Sequence, residues 1–583
     1  MNNANERLVI GLIIEDIFTD FAKETIQSAM NSIPQNKDIR LVVLSGRHDD
    51  TTDPDCNEHR YKTIYNTIYD IGRFYRFDGL IIALGNTEMS LRNLSDMDSW
   101  IKSANIPAVY VAAPKDRAPS VNYDNEMGIR EAIDFLVHVN GYTNICMLGG
   151  RDDNADAMER RDAFIRSLEE NHIHFNESLY EPSDMSVCSQ DAARHLLFRN
   201  PDVQAIFCVN DAVAEGLYDV MKSRGLTPGR DVLVFGFDNT RAAGELSPTL
   251  ASIGSSGGKL GQIAVDMLLD IIAGKEVESV VVPTRLYGKE SLNYEIFEFT
   301  TIEMMRGNEQ FINRMFDECF YRYHKEDINR EDVNLKRLFY EIISRMLRAS
   351  KMRYISIEDF TEVQKMVEIF FRNGAMEYTD ATKFINSIGR LQGSLNSANK
   401  SPAANVMLNR LFLRMREMAI RAISIQSIRE HRLMDNGREQ MLEFLIEMSD
   451  HRVRDEKAQS LAVTKFDHLG YKNASLFLFD TPVICDDIDR IELPDTINLR
   501  CITRNGELYI LPEERQICPM SRIFDRDELN FPGRGTLIYP IFYSIYLYGF
   551  MVNELIAQDM DRGEYITGQL AKVFYCTSNE APR

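Results

Sequence analysis

The chain has 583 residues, too many for one hydrophobic core, and at roughly 100–200 residues per domain it divides into three or four units. With 44% apolar residues, 26% charged residues and a net charge of −22, it reads as ordinary globular protein without the broad basic face that phosphate backbones require. Nine cysteines, odd in number, scattered and without a C-x-x-C pair, exclude a disulfide framework and a zinc site, and predict reduced thiols.

The segment MNNANER carries one basic residue, and the apolar run Leu8–Ile14 is short and meets Glu15-Asp16, so no secretory signal is predicted. No apolar run approaches the ~18 residues of a membrane helix, and a cytoplasmic protein with no membrane partner is expected. Strands are predicted at Leu8–Ile14, Leu41–Leu44, Gly79–Leu84, Ala108–Val111, Ile145–Leu148, Ala205–Val209 and Val232–Phe235. Helices are predicted at Phe21–Ile33, Tyr61–Tyr75, Gly128–Asn140, Arg160–Glu170 and Ala212–Arg224. Short apolar strands alternating with amphipathic helices imply an α/β fold with parallel sheets covered on both faces.

From residue 301 to 440 one proline occurs and helical spacing dominates. Leu408, Leu411, Met415, Met418, Ala422 and Ile425 step by three and four, which predicts either a core-facing bundle helix or a dimerising coiled coil. Strands return after about 440, at Ala474–Phe479, at Leu499–Thr503 and Leu508–Leu511 around the turn Asn505-Gly506, and at Leu537–Tyr543 and Ile545–Val552. A final helix is predicted at Glu564–Phe574.

Several strands end abruptly in polar residues. VLVF runs into Gly236-Phe237-Asp238-Asn239, AIFCV into Asn210-Asp211, and LVIGLII into EDIF. Ligands of open parallel sheets sit at such carboxyl ends. The segments FDGLII (77–82), VNYDNEMGIREAIDFL (121–136), GYTNICMLGG (141–150), ERRDAF (159–164), DVQAIFCVNDAVAEGL (202–217), GRDVLVFGFDN (229–239), SPTLASI (247–253), KLGQIAVDMLLDIIAGK (259–275) and VVVPTRLYGKESL (280–292) follow in order. Together they make residues 7–292 resemble the sensor domain of LacI/GalR-type regulators, a periplasmic-binding-protein-like fold.

That resemblance implies two lobes joined by three chain crossings, one holding about 7–117 and 250–275, the other about 118–247 and 280–292. A small polar ligand would bind between them and close them. Carried over position by position, it implies ligand contacts from Arg160, Asn210 and Asp238, and ring stacking from Phe18 and Phe21. An Arg fork with a carboxylate and an amide suits vicinal hydroxyls, which both donate and accept. Read from the residues alone, Asp238 also suits a turn, Arg160 a surface ion pair, Asn210 a helix cap, and Phe18 and Phe21 the core. The sequence departs from sugar-binding relatives after the Ala108–Val111 strand. Ala112-Ala113 stand where an Asp-Arg pair is common, with Lys115-Asp116-Arg117 displaced, and Lys289 replaces a late arginine.

The family's N-terminal helix-turn-helix is not expected, since the first strand starts near residue 7. Residues 296–438 read as a helical linker or bundle. Residues 440–583 resemble a GAF-like α+β domain on the pattern LIYPIFYSIYLYGFMVNE (537–554). GSSGGKLG (254–261) is one residue short of phosphate-loop spacing and has Leu260 where Ser or Thr must hold magnesium. Asp486-Asp487 reads as a solvated turn, and no catalytic motif, metal or cofactor is expected. The chain is therefore expected to be a small-molecule sensor, not an enzyme, for a sugar-like or nucleoside-like ligand. It would act in transcriptional or signalling regulation, as a homodimer and through a downstream partner. The alternatives are a solute-binding protein for transport and direct DNA binding through the region around Arg410, Arg414, Arg416 and Arg421.

Overall fold

Five short apolar strands open the first lobe: β1 (Leu8–Glu15), β2 (Ile39–Gly46), β3 (Gly79–Ala83), β4 (Ala108–Val111) and β5 (Ser120–Tyr123). In a computed structural model, which describes residues 7–34, 38–48, 56–84, 99–113, 117–255, 259–293, 303, 307–320, 323, 333–352, 354–379, 381–398, 401–449, 471–487, 491–555, 560 and 562–579, they pair in parallel in the order β5-β4-β3-β1-β2. The second lobe holds β6 (Ile145–Leu148), β7 (Tyr180–Glu181), β8 (Ala205–Cys208), β9 (Leu233–Phe237) and β10 (Ala251–Ser255). Two further strands, β11 (Val280–Val282) and β12 (Thr284–Tyr287), part company at Pro283. The first joins β5 in parallel in the first sheet, and the second closes the other sheet antiparallel to β10. Continuous apolar strands of this kind need helices on both faces, and each lobe has its own buried core.

The lobe boundaries differ from those the resemblance implied. β5 and β11 lie in the first sheet and β10 in the second, so the chain changes lobe after Tyr123, between Ser255 and Lys259, and at Pro283. Two crossings are tied together: the Asp124 N–H donates to the Val282 carbonyl at 2.9 Å, and the Thr284 hydroxyl donates to the Asp124 carbonyl at 2.7 Å. The single helix expected over Tyr61–Tyr75 is two, Asn57–Tyr65 and Ile68–Phe74. Asn66, between them, turns its side-chain amide to the Arg47 backbone, accepting at 2.7 Å and donating at 2.9 Å. That is the competition by which Asn leaves a helix.

Residues 309–449 form a bundle of helices Glu309–Cys319, Leu335–Met352, Ile357–Arg372, Ala381–Ala398 and the long Pro402–Ser449. Leu408, Leu411, Met415 and Met418 of the seam face the bundle core, while Ile425 is 56% exposed. Arg414 is paired with Glu368 and Glu417, and Arg416 donates to Gln392, so half of the arginine cluster is engaged inside the bundle.

The C-terminal segment departs most from expectation. The boundary placed at 438–440 falls within helix Pro402–Ser449. The strands beyond it are β13 (Ala474–Ile484), β14 (Thr496–Arg504), β15 (Glu507–Ile510), β16 (Ile517–Pro519), β17 (Gly535–Tyr543) and β18 (Tyr546–Glu554). They run antiparallel in the order β17-β18-β13-β14-β15 and do not form a separate sheet. β17 pairs in parallel with β2, Gly535 opposite Leu41 and Ile538 opposite Leu44, so one sheet runs through both regions. The physical cause is in β2. It is apolar on both faces and every residue of it is buried, which suits an interior strand and not an edge. Arg40 adds contacts from the same strand, donating to the Phe524 carbonyl at 3.2 Å and to Asn530 at 2.7 Å. Tyr75 donates to Asp525 at 2.8 Å.

A chain ended at residue 300 would bare the β2 edge and the apolar surface that β17 and helix Gly563–Asn579 cover. It is expected to self-associate in size-exclusion chromatography with light scattering, whereas a monodisperse monomer would contradict this account of β2.

Candidate functional site

Polar groups from both lobes converge where strands of the two sheets end. The GFDN turn after β9 explains itself residue by residue. A Cβ on Gly236 would lie 2.3 Å from Asp211 Oδ1, so only glycine passes that carboxylate. Phe237 lies beneath Arg160, whose guanidinium carbon is 3.7 Å from the ring centroid. Asp238 and Asn239 have φ of 100° and 49°, in the left-handed region that costs most residues energy and that Asn and Asp tolerate best. Such backbone persists only when its surroundings impose it. Here the Asp238 N–H donates to the Ile253 carbonyl at 2.7 Å, the Asn239 N–H to Ser252 Oγ at 2.9 Å, and Lys289 Nζ to Asn239 Oδ1 at 3.2 Å.

Arg160, on helix Ala155–Glu170, is 6% exposed. Its Nη1 donates to the Val209 carbonyl at 2.8 Å, its Nε to Asn125 Oδ1 at 3.1 Å, and its Nη2 reaches Asp238 Oδ1 at 3.4 Å. Asn125 in turn donates to Asp156 at 2.9 Å and Glu159 at 3.0 Å. The Asp238 side chain keeps 38% of its surface. Burial raises the pKa of its carboxyl; Arg160 opposes the rise, while Glu24 of the first lobe and Asp156 add to it. Tyr123, at the end of β5, feels the same group of charges, and burial first, then Glu24 and Asp238, push its hydroxyl well up. Across the mouth, Arg151 of the second lobe donates to His48 Nε2 of the first at 2.9 Å and bridges Asp153 at 2.8 Å. An arginine has only donors, so His48 accepts through an unprotonated Nε2 and its Nδ1 faces Glu15 at 3.5 Å.

Residues 134–292 match the family model of a periplasmic binding protein-like domain. Similar curated proteins include the HTH-type transcriptional regulator CelR of Thermobifida fusca, 28% identical over 210 residues, 35% of this chain and 62% of CelR. The HTH-type transcriptional repressor PurR of Vibrio vulnificus (strain CMCP6) is 30% identical over 204 residues, 34% of this chain and 59% of PurR. Residues 134–292 therefore carry a periplasmic binding protein-like domain, similar to that of LacI/GalR-type regulators. The chain thus spans about three fifths of the length of these two relatives. Catabolite control protein A of Priestia megaterium is 26% identical over 289 residues, 48% of this chain and 81% of that protein. A solved CelR–cellobiose complex aligns with a TM-score of 0.41 at 22% identity, over 50% of this chain and 86% of that one. The relatives named here are regulators, and none is named as an enzyme.

Within this domain the structure brings Arg160 and Asp238 together. Asn210 stands apart. Its Oδ1 accepts from the Val213 N–H at 2.9 Å, capping helix Asp211–Ser223, and its Nδ2 donates to the Met185 carbonyl at 3.0 Å. Both ends of its amide are thus engaged within the second lobe. Phe18 and Phe21 are each 36% exposed, not core. One face of Phe18 is covered by Arg47, 4.1 Å from its centroid. Lys115 and Asp116 lie outside the described residues, as do residues 256–258 of GSSGGKLG. Among the described residues no group of three or more His, Cys, Asp or Glu side chains is placed to hold a metal.

Asp211 is not among the ligand contacts that the resemblance implies. It is 3% exposed and receives Ser252 Oγ at 2.6 Å, the Thr240 N–H at 2.8 Å and the Thr240 hydroxyl at 3.1 Å. It therefore holds the turn that carries Asp238. The signal for it was the acid directly after Asn210, facing the invading Gly236. Burial, reinforced by Asp238, pushes its pKa up to about 7. An unfolded aspartate titrates near ~4. Between these values the folded chain holds a proton that the unfolded chain has lost, so stability falls as pH rises through that window and levels off above about 7. Asp211→Asn is expected to flatten the loss of thermal stability between pH 5 and pH 8. An unchanged slope in scanning calorimetry would contradict the assignment.

Proposed function

We propose that this chain is a cytoplasmic small-molecule sensor whose two lobes close on a neutral, hydroxyl-rich ligand of sugar-like or nucleoside-like chemistry. The observation that carries the reading is Arg160, fixed over Phe237 and directed at Asp238, whose partly exposed carboxyl is carried on a left-handed turn and feels the charge of Glu24 from the other lobe. A guanidinium beside a carboxylate offers donors and acceptors in the pairing that a diol requires. The local charge argues against an anionic ligand, because Glu24 and Asp156 both add negative charge at Asp238, where Arg160 counters it. The His48–Arg151 contact supports closure as a state in which the lobes touch through side chains.

The role follows from the kind of proteins the chain resembles: transcriptional or signalling regulation, without a reaction of its own, through a homodimer and a downstream partner. A ligand shifts the lobes only by as much as its affinity differs between open and closed forms. The C-terminal segment, which resembles a GAF-like domain in sequence, would receive that change.

Thermal shift of the full chain against cellobiose, ribose, adenosine and glucose 6-phosphate tests the reading. A neutral probe is expected to raise the melting temperature and glucose 6-phosphate is not. Arg160→Ala and Asp238→Asn should each weaken binding by about 1–3 kcal/mol. A shift by the phosphate ester alone, or binding unchanged in both variants, would contradict it.

A further inference from the structure

Arg47 follows β2 directly and lies at the junction of three regions. Its Nη1 is 2.8 Å from Asp16 Oδ1, in the loop after β1. Its guanidinium carbon lies 4.1 Å from the ring centroid of Phe18 in the same loop and 5.4 Å from that of Tyr65. Its Nη2 pairs with Glu564, in the first turn of the C-terminal helix Gly563–Asn579. Glu564 receives a second donor from the first lobe, the Tyr61 hydroxyl. Both members of the Arg47–Glu564 pair are largely screened from water, with side chains 18% and 16% exposed. The backbone of Arg47 is itself held on both sides by Asn66.

The loop that Arg47 holds carries Phe18, one of the residues that the resemblance implies for ring stacking. Asp16 has φ of 45°, its carbonyl accepts from the Thr19 hydroxyl at 3.0 Å, and Thr19 caps helix Asp20–Ser32. The loop therefore has few conformations open to it, and Arg47 selects among them by charge and by stacking. At the other end, Ile566, Leu570, Ala571 and Phe574 of the C-terminal helix are buried in the same core as β1 and β2. That helix also touches the long bundle helix Pro402–Ser449.

We propose that Arg47 is a positioning residue through which the C-terminal helix sets the Asp16–Phe18 loop of the ligand cleft, with Glu564 as the controlling partner. The role as a ligand cleft rests on the reading given above; the coupling itself does not. The coupling is reciprocal, as any coupling between two sites must be. A ligand that displaces Arg47 from Phe18 loosens Glu564, and a partner that pulls on the C-terminal helix frees the loop. The route differs from one through the bundle alone, because it reaches the C-terminal helix across the β2–β17 seam.

Hydrogen exchange by mass spectrometry on the full chain without ligand tests this and stands whether or not any probe binds. Glu564→Gln is expected to speed exchange in residues 16–22 roughly threefold or more, while β3, β4 and β17 stay at the wild-type rate. Glu564→Asp, which keeps the charge, should restore most of the protection, and Tyr61→Phe, which removes one donor and disturbs packing least, should give a smaller rise in the same segment. Arg47→Gln combined with Glu564→Gln should be no faster than Arg47→Gln alone. Wild-type exchange at 16–22 in both Glu564→Gln and Tyr61→Phe, or strictly additive effects of the Arg47 and Glu564 changes, would overturn the proposal.

Discussion

The parallel pairing of β2 with β17 is the constraint on which the rest of the arrangement depends. β2 is apolar on both faces, so it needs a neighbour on each side and helices above and below. The chain supplies the second neighbour from nearly 500 residues away in sequence. Once that seam forms, the first lobe and the C-terminal strands share one core, in which Leu41 and Val43 lie with Leu537, Tyr539 and Leu570. The second lobe has its own core and is joined to the first by three crossings and the contacts across the cleft. The natural division of motion is then between the second lobe and the first lobe fused to the C-terminal segment, not between a sensor and a loosely tethered follower.

The cleft is built on a similar logic at smaller scale. Asp211 is buried with its charge unfavourable, and its hydrogen bonds to Thr240 and Ser252 are what hold a strained turn in place. The turn presents Asp238 to the space between the lobes, and Phe237 to the face of Arg160. Arg160 reaches back through Asn125 to the first crossing, so the side chain proposed to meet a ligand also touches the crossing. A ligand that draws on Arg160 and Asp238 acts on the crossing without any intermediate element.

Local patterning made much of the fold legible. Continuous apolar runs located most strands of the first 292 residues, and the Asn505-Gly506 turn located the β14–β15 hairpin, because those signals depend on neighbours in sequence. Asp238 and Arg160, singled out as a polar residue at a strand end and an arginine one helical turn before an apolar pair, do lie side by side, although no spacing rule links them. Asn210 shows why a polar residue at a strand end is ambiguous: an amide before a helix serves a cap as readily as a ligand, and here it caps the helix and meets Met185. The β2–β17 seam and the Arg47–Glu564 pair lie beyond sequence reading for a different reason: their partners are 494 and 517 residues apart, and no spacing rule links them. One hint was present. Ile39-Arg40-Leu41-Val42-Val43-Leu44 lacks the alternation of a half-exposed edge.

Native-state hydrogen exchange of the full chain across a urea series tests the fusion of the first lobe with the C-terminal sheet most directly. Segments that open together share one opening free energy and one denaturant dependence. Amides of β2 and β17 are expected to converge on the same opening, separate from that of β8 and β9 in the second lobe. Exchange of β17 through a much lower opening, with β2 still protected, would show that the C-terminal sheet is only loosely laid against the sensor and would contradict the account.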